Sequence, residues 1–437
     1  MNPGVITTGS SGATYIGNLL AAQPRLPDSP LAWLNDLRAA AVERVGELTV
    51  PTTRDEDWRF TDLTLLTQMS FHPAHEAASV RSADVEKFYI TEATTRLVFV
   101  DGAYAPQFSV IAAEAAGMVS HLASAAAAAI EPHLGRHVEP GSNIFAALNT
   151  AFLRDAALIV IPRDRVIPAP VQLLFVATQK DSASYPRCLI VAESGSAVTV
   201  IEDYVSLQHE PYFTNSVTEV VLGEQAQVHH VRVQREGAQA FHIANCAVAL
   251  ARGSHYRSVS VALGARISRL DLTVLHDAPG AECAVDGLAL ITDRQLADTH
   301  SCIVHAQPHG VSRQLHKCIV GGSAHAVFNG KVMVRPGAQR INSDQSNRNL
   351  LLTGKAHIDT KPQLEIFADD VKCTHGATVG QLDSEEVFYL QSRGLSESAA
   401  RSMLTYAFGA EIIERIPVRS LRHQLEQSVL AQTASPS

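Results

Sequence analysis

Paired cysteines are missing from this chain. The six it has, at 188, 246, 283, 302, 318 and 373 of 437 residues, fall singly with no CxxC among them. That spacing excludes a dense disulfide scaffold and the paired-cysteine zinc motifs, and it fits reduced thiols in a reducing cytosol. Long apolar runs are also absent: no stretch approaches the roughly 20 residues that cross a bilayer, although 46% of residues are hydrophobic and mean hydropathy is +0.04. A soluble, globular chain without membrane association is expected. Net charge is -9 with no basic block, which argues against nucleic acid, since a phosphate backbone is gripped by clustered Lys and Arg. Proteins are the expected partners. No Lys or Arg precedes Arg25, which opposes a secretory or transit segment and points to the cytoplasm. Catalytic signatures are lacking too. Gly330-Lys331 and Gly354-Lys355 have neither the upstream glycine nor the following Ser or Thr of a nucleotide-binding loop, and there is no GxSxG or HExxH. A non-enzymatic chain is expected.

Glycine-punctuated β runs fill most of what remains. Residues 1–28, rich in Gly, Ser, Thr and Ala, read as a flexible tail. Ser29 offers an N-cap with Pro30 at the first helical position, and Leu34, Leu37, Ala41, Val45 and Leu48 recur at helical spacing. Arg54 to Phe60, RDEDWRF, sets Trp58 among charges, a solvated face or an aromatic pin to a neighbouring element. Leu97–Val100, Leu158–Ile161 and Val171–Val176 read as strands. Beyond them Gly195, Gly223, Gly253, Gly280, Gly322, Gly337 and Gly354 each precede a short β run, the first, second, third and last read as turn residues at positive φ. Such repeats mark a stacked solenoid, a parallel β-helix, with a β-sandwich as the alternative. After Gly380 the period becomes helical. Asp383 with Glu386 resembles a capping box, Gly394 a stop, Ser396 a second cap, and Leu421, Leu425 and Val429 mark a third helix. These helices are expected to form a small domain on the solenoid's end.

The chemistry-bearing stretch is DTKPQLEIFADDVKCTHGATVG, Asp359 to Gly380. In a strand Cys373 and His375 share a face, and thiolate with imidazole suits iron, zinc or an iron–sulfur cluster. The competing reading makes Cys373 a small core residue and His375 a turn histidine. Gly376 and Gly380 leave room for another backbone or a ligand. A second concentration, HSCIVHAQPHG at 300–310, gathers His300, Cys302, His305 and His309. Strand parity points His300 and Cys302 one way and His305 the other, so these are read as structural histidines or a partner surface. The carboxylates Asp369-Asp370, or Glu365 with Asp359, allow a different class altogether, a polysaccharide-cleaving β-helix enzyme with paired acids on one face.

A resemblance decides among these. KPQLE at 361–365, ADDVKC at 368–373 and HGAT at 375–378, with NSDQSNRNLLL at 342–352, FYLQSRG at 388–394 and RDEDWRF at 54–60, resemble the SufB/SufD family of iron–sulfur cluster assembly subunits, nearer SufD. The match runs from about Thr52 to the C-terminal helices and leaves roughly the first fifty residues unmatched. It implies a mainly β fold, a right-handed parallel β-helix core with N-terminal and C-terminal α-helical domains. The expected divisions are a tail at 1–28, an N-terminal helical domain at 29–95, the β-helix at 96–381 and a C-terminal helical domain at 382–437. The implied role is a scaffold that pairs with SufB through the β-helix, docks the ATPase SufC through the C-terminal helices and aids iron delivery. A homodimer is the expected state of the isolated subunit. A transient iron–sulfur cluster shared with SufB is the implied cargo. His375 is its candidate cluster or iron ligand and Cys373 lies beside it; flavin is left open, and no cofactor is expected in the isolated subunit.

Overall fold

In the computed structural model, which describes residues 10–21, 28–74, 80–138 and 143–434, the glycine-marked runs wind into a parallel β-solenoid of about eight turns. Each turn gives one strand to each of two sheets. In the first sheet Phe213 pairs with Phe241, then Ile267, Leu296, His325 and His357 in succession. In the second, Gln227 pairs with His255, then Glu282 and Val311. The coil is therefore about 30 residues long, inside the range of stacked repeats. Every rung is parallel from one turn to the next, so like side chains stack in columns. Phe99, Phe175 and Tyr204 form one such column, with ring centroids 5.2 and 4.9 Å apart. Each stacked pair contributes about 0.5–1.5 kcal/mol beyond its area.

Both sheets are also covered outside, because their strands are apolar on both faces. The helix Ile144–Ala151, entirely buried, packs with Trp58 and Phe71 over Phe213, Phe241, Ile243 and Ile267 on the outer face of the first sheet. Asn149 ties it down by donating to the carbonyls of Pro186 and Asn215. On the outer face of the second sheet, Ile412, Ile413, Ile416, Leu421, Leu425 and Val429 cover Val231, Val233, Val259, Val261, Leu288, Leu290 and Leu315. The C-terminal helices Glu397–Ile413 and Arg419–Ala434 thus lie along the solenoid's flank rather than on its end, where they were expected. The outward aliphatics of that sheet need a lid, and an amphipathic helix pair supplies it. Asp383 caps its helix by accepting from the Glu385 amide, without the reciprocal Glu386 bond of a capping box; Ser396 accepts from Ala399, and Gly394 has φ +95°.

Two N-terminal expectations change. Within the stretch expected as a tail, Ser10–Leu20 is a helix with Tyr15, Ile16 and Leu19 buried against Trp58, Leu66 and Phe71; residues 1–9 and 22–27 lie outside the described residues. The next helix begins at Ala32, with Leu31 at the cap position, not at Pro30. Ser29 instead receives the Leu31 amide, and its backbone N–H and C=O bond the side chain of Asn35, six residues on in the helix's first turn.

The turns keep their register but not always their glycine. The left-handed position two residues before a second-sheet strand is held by Gly195, Gln225, Gly253, Gly280 and His309 in successive coils. Gly223 and Gly354 are not at positive φ. Gly223 is required by close approach, since a Cβ there would sit 2.6 Å from the Ser194 amide nitrogen. Opposite responses are expected at equivalent turns. Gln225→Gly removes a side chain held at φ +57° and should leave stability unchanged or raise it by up to about 1 kcal/mol. Gly195→Val, at φ +71°, should cost more than about 1 kcal/mol. Urea midpoints that move the same way for both variants would contradict this assignment of the turns.

Candidate functional site

The solenoid ends on two strands that have a partner on one side only. His357–Ile366 pairs with His325–Val334, and Val371–Gly380 with Ile341–Leu351; among the described residues neither has a further neighbour. The helices that cover earlier turns do not reach them, so Ile366, Phe367 and Val379 are exposed. Pro362 sits where a missing N–H is tolerated, on an edge. Two ten-residue strands that each pair on one side only are a template for another chain; Pro362, Lys361 and Lys372 restrict that pairing on part of the edge, and Cys373 to Gly380 carries neither proline nor lysine.

Cys373 and His375 stand on the last of these strands and share a face, as strand parity requires. They follow Ser343 and Gln345 in register, both buried between the sheets. Each ends a polar ladder running through the solenoid's interior. In one, His305 bonds Ser312 at 2.9 Å and Ser312 donates to Ser343 at 2.8 Å, one turn before Cys373. In the other, Gln314 donates to Ser301 and Gln345 to Gln314, one turn before His375. The buried Oε1 of Gln345 has no hydrogen-bond partner among the described residues. Cys373 is half-buried against Val332, Val334 and Ile341, whereas His375 is exposed at the mouth. Burial pushes the Cys373 thiol up, offset in part by a backbone hydrogen bond from Ser343. At neutral pH it is a protonated thiol, which must lose its proton before it can ligate a metal.

Deeper inside lies a charged network that sequence reading missed. Glu202, fully buried, accepts from Thr218 and Tyr204 at 2.8 Å and faces His230 Nε2 at 3.0 Å. Burial alone would raise its carboxyl, but His230 and Arg232 hold it down at about 2. Arg232 reaches on to His242, which bonds Glu236. The only sequence signal was polar residues at inward parity, legible once the register is known.

The other expected clusters disperse. His300 and Cys302 point outward and His305 inward; His300 is occupied by Asp298 at 3.1 Å, and His305 packs on His276 with centroids 4.2 Å apart. His309 takes the turn position at φ +64°. Of the carboxylates proposed for polysaccharide cleavage, Asp370 faces Arg340, Glu365 faces Lys331, and Asp359 faces two histidines. Nothing in this arrangement supports a glycosidase acid pair.

Comparison with known proteins agrees with this geometry. A family model described as "SUF system FeS cluster assembly, SufBD core domain" matches residues 175–408, and one described as "SufBD protein N-terminal region" matches 10–173. The chain belongs to the SufBD family. It is 41% identical to an iron–sulfur cluster assembly SufBD family protein of Synechocystis, over 91% of this chain and 90% of that one. It is 32% identical to the iron–sulfur cluster assembly protein SufD of Escherichia coli, over 86% and 88%, and 26% identical to that of Bacillus subtilis, over 90% and 92%. The SufBD match begins at residue 10, earlier than the motifs alone suggested, and takes in the buried helix Ser10–Leu20. Among the described residues no helix is long and apolar enough to cross a membrane, and all six cysteines are free.

Proposed function

We propose that this SufBD-family chain is a non-catalytic scaffold subunit of an iron–sulfur cluster assembly complex, working in a reducing cytoplasm. Its open solenoid edge pairs with a SufB-type partner. The observation that carries this reading is the coincidence of the bare edge strands with Cys373 and His375 on one of them. A partner strand laid along Val371–Gly380 would close the mouth over His375 and bring its own ligands opposite, so that a nascent cluster is shared across the joint. His375 is the ligand from this side. Cys373, partly inside the core, acts through packing. A SufC-type ATPase docks on the C-terminal helices, where Phe388 and Tyr389 of the helix Ser384–Ser392 and Met403 of Glu397–Ile413 are exposed, while the sheet takes the apolar faces of Glu397–Ile413 and Arg419–Ala434.

The test is co-expression with SufB-type and SufC-type subunits, purification through this chain, and counting of iron and acid-labile sulfide per complex. His375→Ala should lower cluster content while complex yield and melting temperature stay near wild type; Cys373→Ser should do less. Val379→Asp should reduce recovery of the SufB-type chain, and Phe388→Asp recovery of the ATPase, each without the other loss. Full cluster content in His375→Ala, or equal recovery of every subunit with both edge and helix variants, would overturn the reading.

A further inference from the structure

We infer a second metal site, separate from His375, formed by His325, His357 and Asp359 on the outer face of the first sheet. It does not depend on the role proposed for the open edge. His325 and His357 are register partners on adjacent parallel strands, and Asp359 lies two residues beyond His357 on the same face. The sheet ladder therefore fixes all three positions before any ion arrives. Both histidines turn Nε2 to the same carboxylate oxygen, Asp359 Oδ2, at 2.8 Å from His325 and 3.2 Å from His357. The three donor atoms lie within 4.8 Å of one another. The imidazole rings are inclined at 56° rather than stacked, with centroids 4.9 Å apart, so their nitrogens converge instead of running parallel.

These separations are close to what one ion requires. Metal–nitrogen and metal–oxygen bonds of about 2.0–2.2 Å place neighbouring ligands a little over 3 Å apart, which small side-chain rotations would reach. Among the described residues Asp359 forms no ion pair with Lys or Arg, and its ion-pair contacts are with the two imidazoles. Elsewhere on the solenoid surface a carboxylate meets a single histidine, as in His255 with Glu282 at 3.4 Å. Access is open, with His325 and Asp359 each 26% and His357 66% exposed.

Two imidazoles and one carboxylate suit a divalent first-row transition ion, Fe²⁺, Co²⁺ or Zn²⁺, and discriminate against Mg²⁺ and Ca²⁺, which prefer oxygen. Three protein ligands leave positions for water, the mark of an exchangeable site rather than a closed structural one. In the unloaded protein Nε2 of each imidazole lies against Asp359 Oδ2. A bound ion takes the Nε2 lone pair of each ring, which requires the neutral imidazole with its proton on Nδ1.

The experiment is titration of the full-length chain with Zn²⁺ by calorimetry, with Co²⁺ followed by its visible ligand-field absorption, and with Fe²⁺ under anaerobic conditions. One saturable ion per chain is expected. His325→Ala should weaken binding roughly tenfold or more, and the His325→Ala/His357→Ala double variant should abolish the Co²⁺ spectrum. All three residues are surface groups, so melting temperature should stay near wild type. His375→Ala and Cys373→Ser should bind as wild type does, which separates this site from the proposed cluster ligand. Absence of saturable binding, binding that survives the double substitution, or binding lost in His375→Ala would each overturn the assignment.

Discussion

Arg269→Ala should destabilise the protein by about 3–5 kcal/mol and free its N-terminal segment from the solenoid. The guanidinium, 1% exposed, is gripped on every side. Nε and Nη2 donate to the two oxygens of Asp271, while Nη1 donates to Asp298 and, at 2.8 Å, to the Asp57 carbonyl. The Trp58 ring covers it at 3.7 Å from the centroid. Asp298 is just as buried and also accepts from Thr61. Burial alone would raise the Asp298 carboxyl, but Arg269 and then His300 hold it at about 2. Removing the arginine strands that carboxylate without its main charge partner, the situation that costs 3–5 kcal/mol in buried pairs. The cation–π contact with Trp58 adds about 1–2 kcal/mol. Urea unfolding measures the loss, and limited proteolysis should cut near residues 54–61 in the variant before it cuts wild type. Arg269→Met combined with Asp298→Leu should recover much of the stability, because an apolar pair carries no stranded charge. A cost below about 1 kcal/mol for Arg269→Ala would mean the anchor does not hold the segment.

That anchor shows what was readable beforehand and what was not. RDEDWRF was recognisable as a motif, and a pin was one of the two readings open for Trp58, because a large aromatic acts chiefly by burial. Its target, Arg269, was invisible, since a contact more than 200 residues away leaves no local pattern. The strands near 97, 158 and 171 and the repeated turns followed from apolar runs and glycines, because both are local properties, while the resemblance decided for a solenoid over a sandwich. By strand parity Cys373 and His375 fell on one face. The left-handed position at Gln225 and His309 was missed, since glycine marks where the backbone is free and not where it bends. Ser10–Leu20 escaped because its small residues resemble a linker until a hydrophobic surface is supplied for Tyr15 and Leu19. His325, His357 and Asp359 were legible in principle: each histidine follows its turn glycine, Gly322 or Gly354, by three residues. Aligning the coils, rather than counting ligand spacing along the chain, brings them together.

Acid should unfold the protein in two stages, beginning above the range in which carboxylates titrate. Burial pushes the imidazoles of His276, His305 and His316 down to about 3, 4 and 4; for His276 the neighbouring His305 adds to it, opposed by the Ala281 carbonyl. Burial also lowers His242, against the pull of Glu236. In the unfolded chain such groups titrate near 6.5. Between that value and their folded values only the unfolded state takes up their protons, so stability falls as pH falls through this window. Each such group contributes a slope of about 1.4 kcal/mol per pH unit, or about 4 kcal/mol per unit for His276, His305 and His316 together. The second stage has the opposite origin. Glu202 and Asp298, held at about 2 in the fold, stabilise it above the unfolded carboxylate range and lose that contribution as pH drops from about 4 toward 2. Urea midpoints measured from pH 8 to 4 should be level above 7 and steep between 6.5 and 4. His305→Asn, which removes one imidazole beside Ser312 and His276, should lower the slope by about a third with little change at pH 8. Stability that is flat down to pH 4.5 would mean that these histidines admit protons in the folded state and that the solenoid's interior is wetter than their burial implies.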